Sequence, residues 1–116
     1  MSDSEIRLTV RAAGRSASLE GDLSEANAPE FESLLSSLEV DGRAAFALDL
    51  SGLDIGDGVA AATAVSCLRM LRARAGRLTL SGAPQILGHN LYRVGLLEGA
   101  GAIELIDMRL DEPSGF

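Results

Sequence analysis

The chain has 116 residues, room for one domain with a core of moderate size, and its 47% hydrophobic content argues for a folded protein over a disordered one. A net charge of -7, from 17 acidic against 10 basic residues, speaks against a nucleic-acid binder, whose footprint is a basic patch. The single Cys67 excludes an internal disulfide framework and a cysteine-rich zinc site. The opening Met1-Ser2-Asp3-Ser4-Glu5 is acidic and polar, unlike a secretory leader, and no apolar run approaches the ~20 residues of a membrane span. The expected location is the cytoplasm.

Ile6, Leu8 and Val10 alternate with Arg7, Thr9 and Arg11, the period of a strand with one buried face. Gly14-Arg15 signals a turn, and Ala17 and Leu19 alternate with Ser16, Ser18 and Glu20, so the two strands form a hairpin that Gly21-Asp22-Leu23-Ser24 leaves. Asn27, Pro29 and Glu30 read as a helix start with Asn27 as the capping side chain. Phe31, Leu34, Leu35 and Leu38 give the buried stripe of that helix, which Asp41-Gly42 ends.

The run Ala47 to Leu50 predicts a short strand buried on both faces and broken by Ser51-Gly52; Asp57 is placed to cap the next helix. Over residues 57–75 that helix puts Ala61, Ala64, Val65, Leu68 and Leu71 on one face, with Thr63, Ser66, Arg69 and Met70 largely off it. Arg69, Arg72 and Arg74 collect at its C-terminal end, where they favour the helix dipole, and Gly76 stops it. Leu78-Thr79-Leu80 is a further strand. A third helix follows, with Leu87, Leu91 and Val94 as its buried stripe and Gly95 as its end. Ala102 to Ile106 is the last strand, with Ile103 and Leu105 inward, and residues 107–116 form a loose tail. The order β-β-α-β-α-β-α-β predicts one α/β domain over 1–116, a mixed sheet of four or five strands with helices mainly on one face.

Leu19-Glu20-Gly21-Asp22-Leu23, Leu48-Asp49-Leu50-Ser51-Gly52-Leu53, Asp57, Gly76-Arg77-Leu78-Thr79-Leu80-Ser81-Gly82 and Leu91-Tyr92-Arg93-Val94-Gly95-Leu96 occur in that order. In these stretches the chain resembles the STAS domains, the fold of bacterial anti-sigma factor antagonists. The resemblance implies a non-enzymatic interaction module of signalling and transcription regulation. In such antagonists the second helix opens with Asp-Ser-x-Gly or Asp-Thr-x-Gly, and a partner kinase phosphorylates the hydroxyl to release the complex. Here Asp57 matches the Asp, but Gly58 stands at the hydroxyl and Ala60 at the glycine. Ser24 stands where many antagonists carry an Asp beside that loop.

The expected partner surface is therefore Asp22, Ser24, Asp54, Ile55, Gly56, Asp57, Gly58, Val59, Ala61, Ala62 and Thr63, with no phosphorylation at Gly58. The partner implied is an anti-sigma kinase-like or other regulatory protein; a homodimer is compatible with the sequence, and no nucleic acid, cofactor or metal is expected. The alternative in the same fold is the small cytosolic subunit of a lipid-transporting ABC complex. Asp49, Asp54 and Asp57 invite comparison with a metal or phospho-acceptor cluster, but no His or Lys lies near them in sequence. Gly52, Gly56 and Gly58 fit neither dinucleotide nor P-loop spacing. His89 reads as a surface or half-buried residue and Cys67 as a small core side chain. No catalytic constellation emerges.

Overall fold

The computed structural model describes residues 6–11 and 14–109, so residues 1–5, 12–13 and the tail residues 110–116 lie outside the description. The elements follow the expected order: β1 (Arg7–Arg11), β2 (Ser16–Leu23), α1 (Ala28–Ser36), β3 (Ala45–Ile55), α2 (Gly58–Arg74), β4 (Arg77–Ser81), α3 (Gln85–Arg93) and β5 (Glu104–Leu105). A 3-10 turn, Glu25–Asn27, joins β2 to α1. All five strands form one sheet in sequence order, β1 antiparallel to β2 and every later neighbour parallel. Parallel crossovers are right-handed, so a strand order that advances in one direction delivers each crossover helix to the same face. There α2 packs between α1 and α3.

Phe46, Leu48, Leu50 and Leu53 of β3 are buried toward the helices, while Ala45 and Ala47 are exposed on the other side. The expectation that the Ala47–Leu50 run is buried on both faces is thus corrected: only one face has helices to cover it. Ser51-Gly52 does not break the strand either. Ser18 pairs with Asp49 and Glu20 with Gly52, so β3 carries one extra residue and bulges. The Asp49 carboxylate accepts from the Ser51 amide at 2.9 Å and hydroxyl at 2.7 Å, a local arrangement that holds the bulge. Those bonds, with a smaller contribution from the Arg11 charge, hold the Asp49 carboxyl below its ordinary range. The extra residue lets Leu50 and Leu53 both face inward. β2 likewise runs on to Leu23, past the expected exit at Gly21.

The α2 face expected to be buried is buried: Ala61, Ala64, Val65, Leu68 and Leu71, joined by Ala60 and Cys67. Burial pushes the Cys67 thiol up to about 11, so it packs as a small apolar side chain. α1 ends at Ser36, before Asp41-Gly42. Arg74 explains how that end is satisfied, because its guanidinium donates to Leu35 O and Leu38 O, each at 2.8 Å. Arg72 does the same for Ala75 O and Ala102 O, so these two arginines clamp the chain as well as facing a dipole.

Two positions expected to face inward, Val10 and Val94, are exposed. Val94 is exposed because α3 ends at Arg93 and Gly95, at φ 79°, turns the chain so that half-buried Leu96 packs on the core in its stead. Val10 is exposed as well, beside an open groove of ≈ 700 Å³ that it shares with Leu8 and Leu38. β5 is only two residues, preceded by buried Ile103, with Leu105 half-buried and Ile106 exposed. Beyond it, Asp107 to Arg109 are hydrogen-bonded to the turn after β4.

Candidate functional site

β2, β3 and β4 are parallel, so Leu23, Ile55 and Ser81 finish at one end of the sheet, and the connections that follow them converge there. The loop from β3 to α2 is only Gly56 and Asp57. Gly56 N–H donates to Leu23 O at 2.9 Å, which pins the loop to the end of β2. Asp57, extended at φ -154°, caps α2: one carboxylate oxygen accepts from Ala60 N–H at 2.7 Å. The other oxygen accepts from Glu25 N–H at 3.2 Å, so one side chain joins the start of α2 to the 3-10 turn after β2.

That turn has its own lock. Ser24 Oγ accepts from Ala26 N–H, Asn27 Oδ1 accepts from Ser24 N–H at 2.9 Å, and Asn27 Nδ2 donates to Asp22 O at 2.8 Å. Asn27 is therefore not the side-chain cap of α1 that its position suggested; it makes no cap bond there, and Ser24 is the capping hydroxyl of the turn. Ser24 thus has a local structural task.

The expected surface residues separate by exposure. Asp22, Asp54, Gly56, Gly58, Val59 and Ala62 are exposed; Ser24, Ile55, Asp57 and Thr63 are half-buried. Ala61 is fully buried and cannot touch a partner, because the α2 face it occupies lies against the sheet. Asp49, Asp54 and Asp57 take three different sets of partners: the β3 bulge, an arginine, and backbone amides of two elements. Among the described residues no group of three His, Cys, Asp or Glu side chains could hold a metal ion.

Gly58 is the first residue of α2, and a methyl group added to it would meet nothing within 4 Å. It has no left-handed backbone that would require glycine. Neither packing nor conformation excludes a side chain here, so the fold could carry a hydroxyl at this point and does not. With Val59 53% exposed and Ala62 beside it, the start of α2 offers small or apolar atoms on the solvent side. Glu25, in the turn that Asp57 holds, is an exposed carboxylate beside it, whereas Asp22 and Asp54 pair in register and alternate with buried Leu23 and Leu53, on the sheet face away from the helices.

The STAS domain profile matches residues 15–110. The chain belongs to the STAS domain family. It is thereby a sulfate-transporter and anti-sigma-antagonist-like module, of a family whose members generally mediate protein–protein contacts without catalysis. No curated protein matches the sequence. No helix among the described residues of this STAS domain is long and apolar enough to cross a membrane.

Two contributors to this end of the STAS domain differ from expectation: Asn27 locks the turn and does not cap α1, and Arg109 had no expected role. Asn27 could have been found, since Ser24 with a hydrogen-bonding side chain three residues on is a capping-box spacing. Arg109 could not: it reaches Leu53 and Asp54 from far along the chain.

Loss of the Asp57 carboxylate should be felt in stability. Asp57→Ala removes the α2 cap and the acceptor for Glu25 N–H, and is expected to cost about 1–2 kcal/mol. Asp57→Asn, which keeps the oxygen facing Ala60, should cost less. Thermal denaturation of both variants checks the order.

Proposed function

We propose that this STAS domain binds a regulatory protein partner through the β3–α2 loop and the first turns of α2, as an anti-sigma factor antagonist held permanently in its unphosphorylated form. The observation that supports this reading is Gly58: exposed, sterically unconstrained, and without the hydroxyl whose phosphorylation releases partners in related antagonists. Asp22, Ser24, Asp54, Ile55, Gly56, Asp57, Val59, Ala62 and Thr63 complete the proposed surface, and a kinase-like anti-sigma factor is the partner class it suits. A pull-down from the native host with wild type and Gly58→Glu as parallel baits, read by mass spectrometry, tests it. A kinase-like regulator retained by wild type and lost with Gly58→Glu is the expected result. Retention of a transporter nucleotide-binding subunit would support the transport-complex alternative.

A family-type kinase with ATP should add no phosphate to residues 51–66 of the wild type. Thr63 and Ser66 lie past the first turn of α2, where the backbone is committed to helix. Gly58→Ser, by contrast, places a hydroxyl in open space at the family position and should gain one phosphate. Intact-mass measurement after incubation distinguishes the two proteins.

A further inference from the structure

We infer that Asp107, Met108 and Arg109 form a strap that positions the β3–α2 loop, with the Arg109 guanidinium standing in for a missing strand. β4 pairs with β3 only as far as Asp49–Ser81, whereas β3 continues to Ile55. From Leu50 onward β3 therefore has β2 on one side and no strand on the other. A carbonyl pointing to that open side needs another donor.

Arg109 is that donor. Its Nη2 donates to Leu53 O, its Nε donates to Gly82 O at 2.9 Å, and its Nη1 lies 3.4 Å from the Asp54 carboxylate. One planar, always-charged group thus ties the end of β3 to the turn after β4 and faces a carboxylate of the proposed surface. The strap is itself anchored. Arg109 N–H donates to Ala83 O at 2.8 Å, Met108 bridges Ala83, and Gly82 N–H donates to the Asp107 carboxylate. On α3 a methyl group at Gly88 would collide with Met108 Sδ, so that glycine makes room for the strap. Gly82, at φ 64° and tight against Ser51, completes the junction.

Three consecutive residues far from the loop in sequence thus hold the loop's entry in one place, with Arg109 as a positioning residue for partner contact. Its relevance to binding rests on the proposed function; its grip on the loop does not, and the test reads the grip in the free protein. Hydrogen–deuterium exchange is compared in wild type and Arg109→Met, which keeps the aliphatic stem and removes every donor. Exchange at residues 53–57 should rise by about tenfold or more, while the β1–β2 hairpin and the middle of α2 keep wild-type rates. Arg109→Lys, with one ammonium in place of a three-way fork, should show a smaller rise at the same residues and serves if Arg109→Met does not fold. Unchanged exchange at 53–57, or a rise spread evenly over the molecule, would overturn the strap.

Discussion

Gly76→Ala is expected to destabilise the domain by about 2–3 kcal/mol, while Gly58→Ala is neutral or stabilising by about 0.5 kcal/mol. The first number follows from what an added methyl would meet. At Gly76 it would lie 2.8 Å from Ala44 N, 2.8 Å from the Arg43 carbonyl carbon and 3.0 Å from Ala44 O. All three are backbone atoms, in a loop whose geometry Gly76 itself fixes by donating to Ala44 O at 2.9 Å. No flexible side chain can move aside, so either the 41–44 loop or the start of β4 must shift. At Gly58 the methyl meets nothing, the backbone is ordinary helix, and alanine loses less conformational freedom on folding than glycine. Urea denaturation of the two variants, with unchanged m-values, reads both effects. Equal stabilities would mean that the close approach at Gly76 is not a packing constraint.

That contrast marks what the residues disclose by themselves. The strand and helix periods give the five strands and three helices in order, because a sheet with one covered face and an amphipathic α1 write their burial directly into alternation and 3.6-residue spacing. What stayed hidden depends on partners distant in sequence. Ser51-Gly52 reads as a strand break until Asp49 is seen bonded to Ser51 and the strand is seen to bulge. The sequence reads as a loose tail from Asp107, because nothing near it in sequence says that Leu53 O needs a donor. Val94 fits the helical stripe, yet Gly95 has already begun to turn the chain. At the proposed site, Asp57 as a cap was legible from its place before the helix; its bond to Glu25 N–H was not.

Gly58→Glu is the substitution expected to matter most for binding. A glutamate at the first position of α2 is electrostatically favourable to the helix and has open space around its Cβ, so the fold should tolerate it. Its carboxylate would add negative charge beside exposed Glu25 and, on the proposed reading, would crudely imitate a phosphate. It would also stand where a partner backbone can approach the bare start of α2. Desolvating one extra unpaired charge in such a contact costs on the order of 2 kcal/mol or more, a weakening of thirtyfold or greater.

The most direct measurement is therefore calorimetric titration of the partner retained in the pull-down into wild type and Gly58→Glu, at matched melting temperature. Gly58→Glu is expected to bind about thirtyfold more weakly or worse while melting where the wild type does. Equal affinity at equal stability would place the interface elsewhere and contradict the proposal.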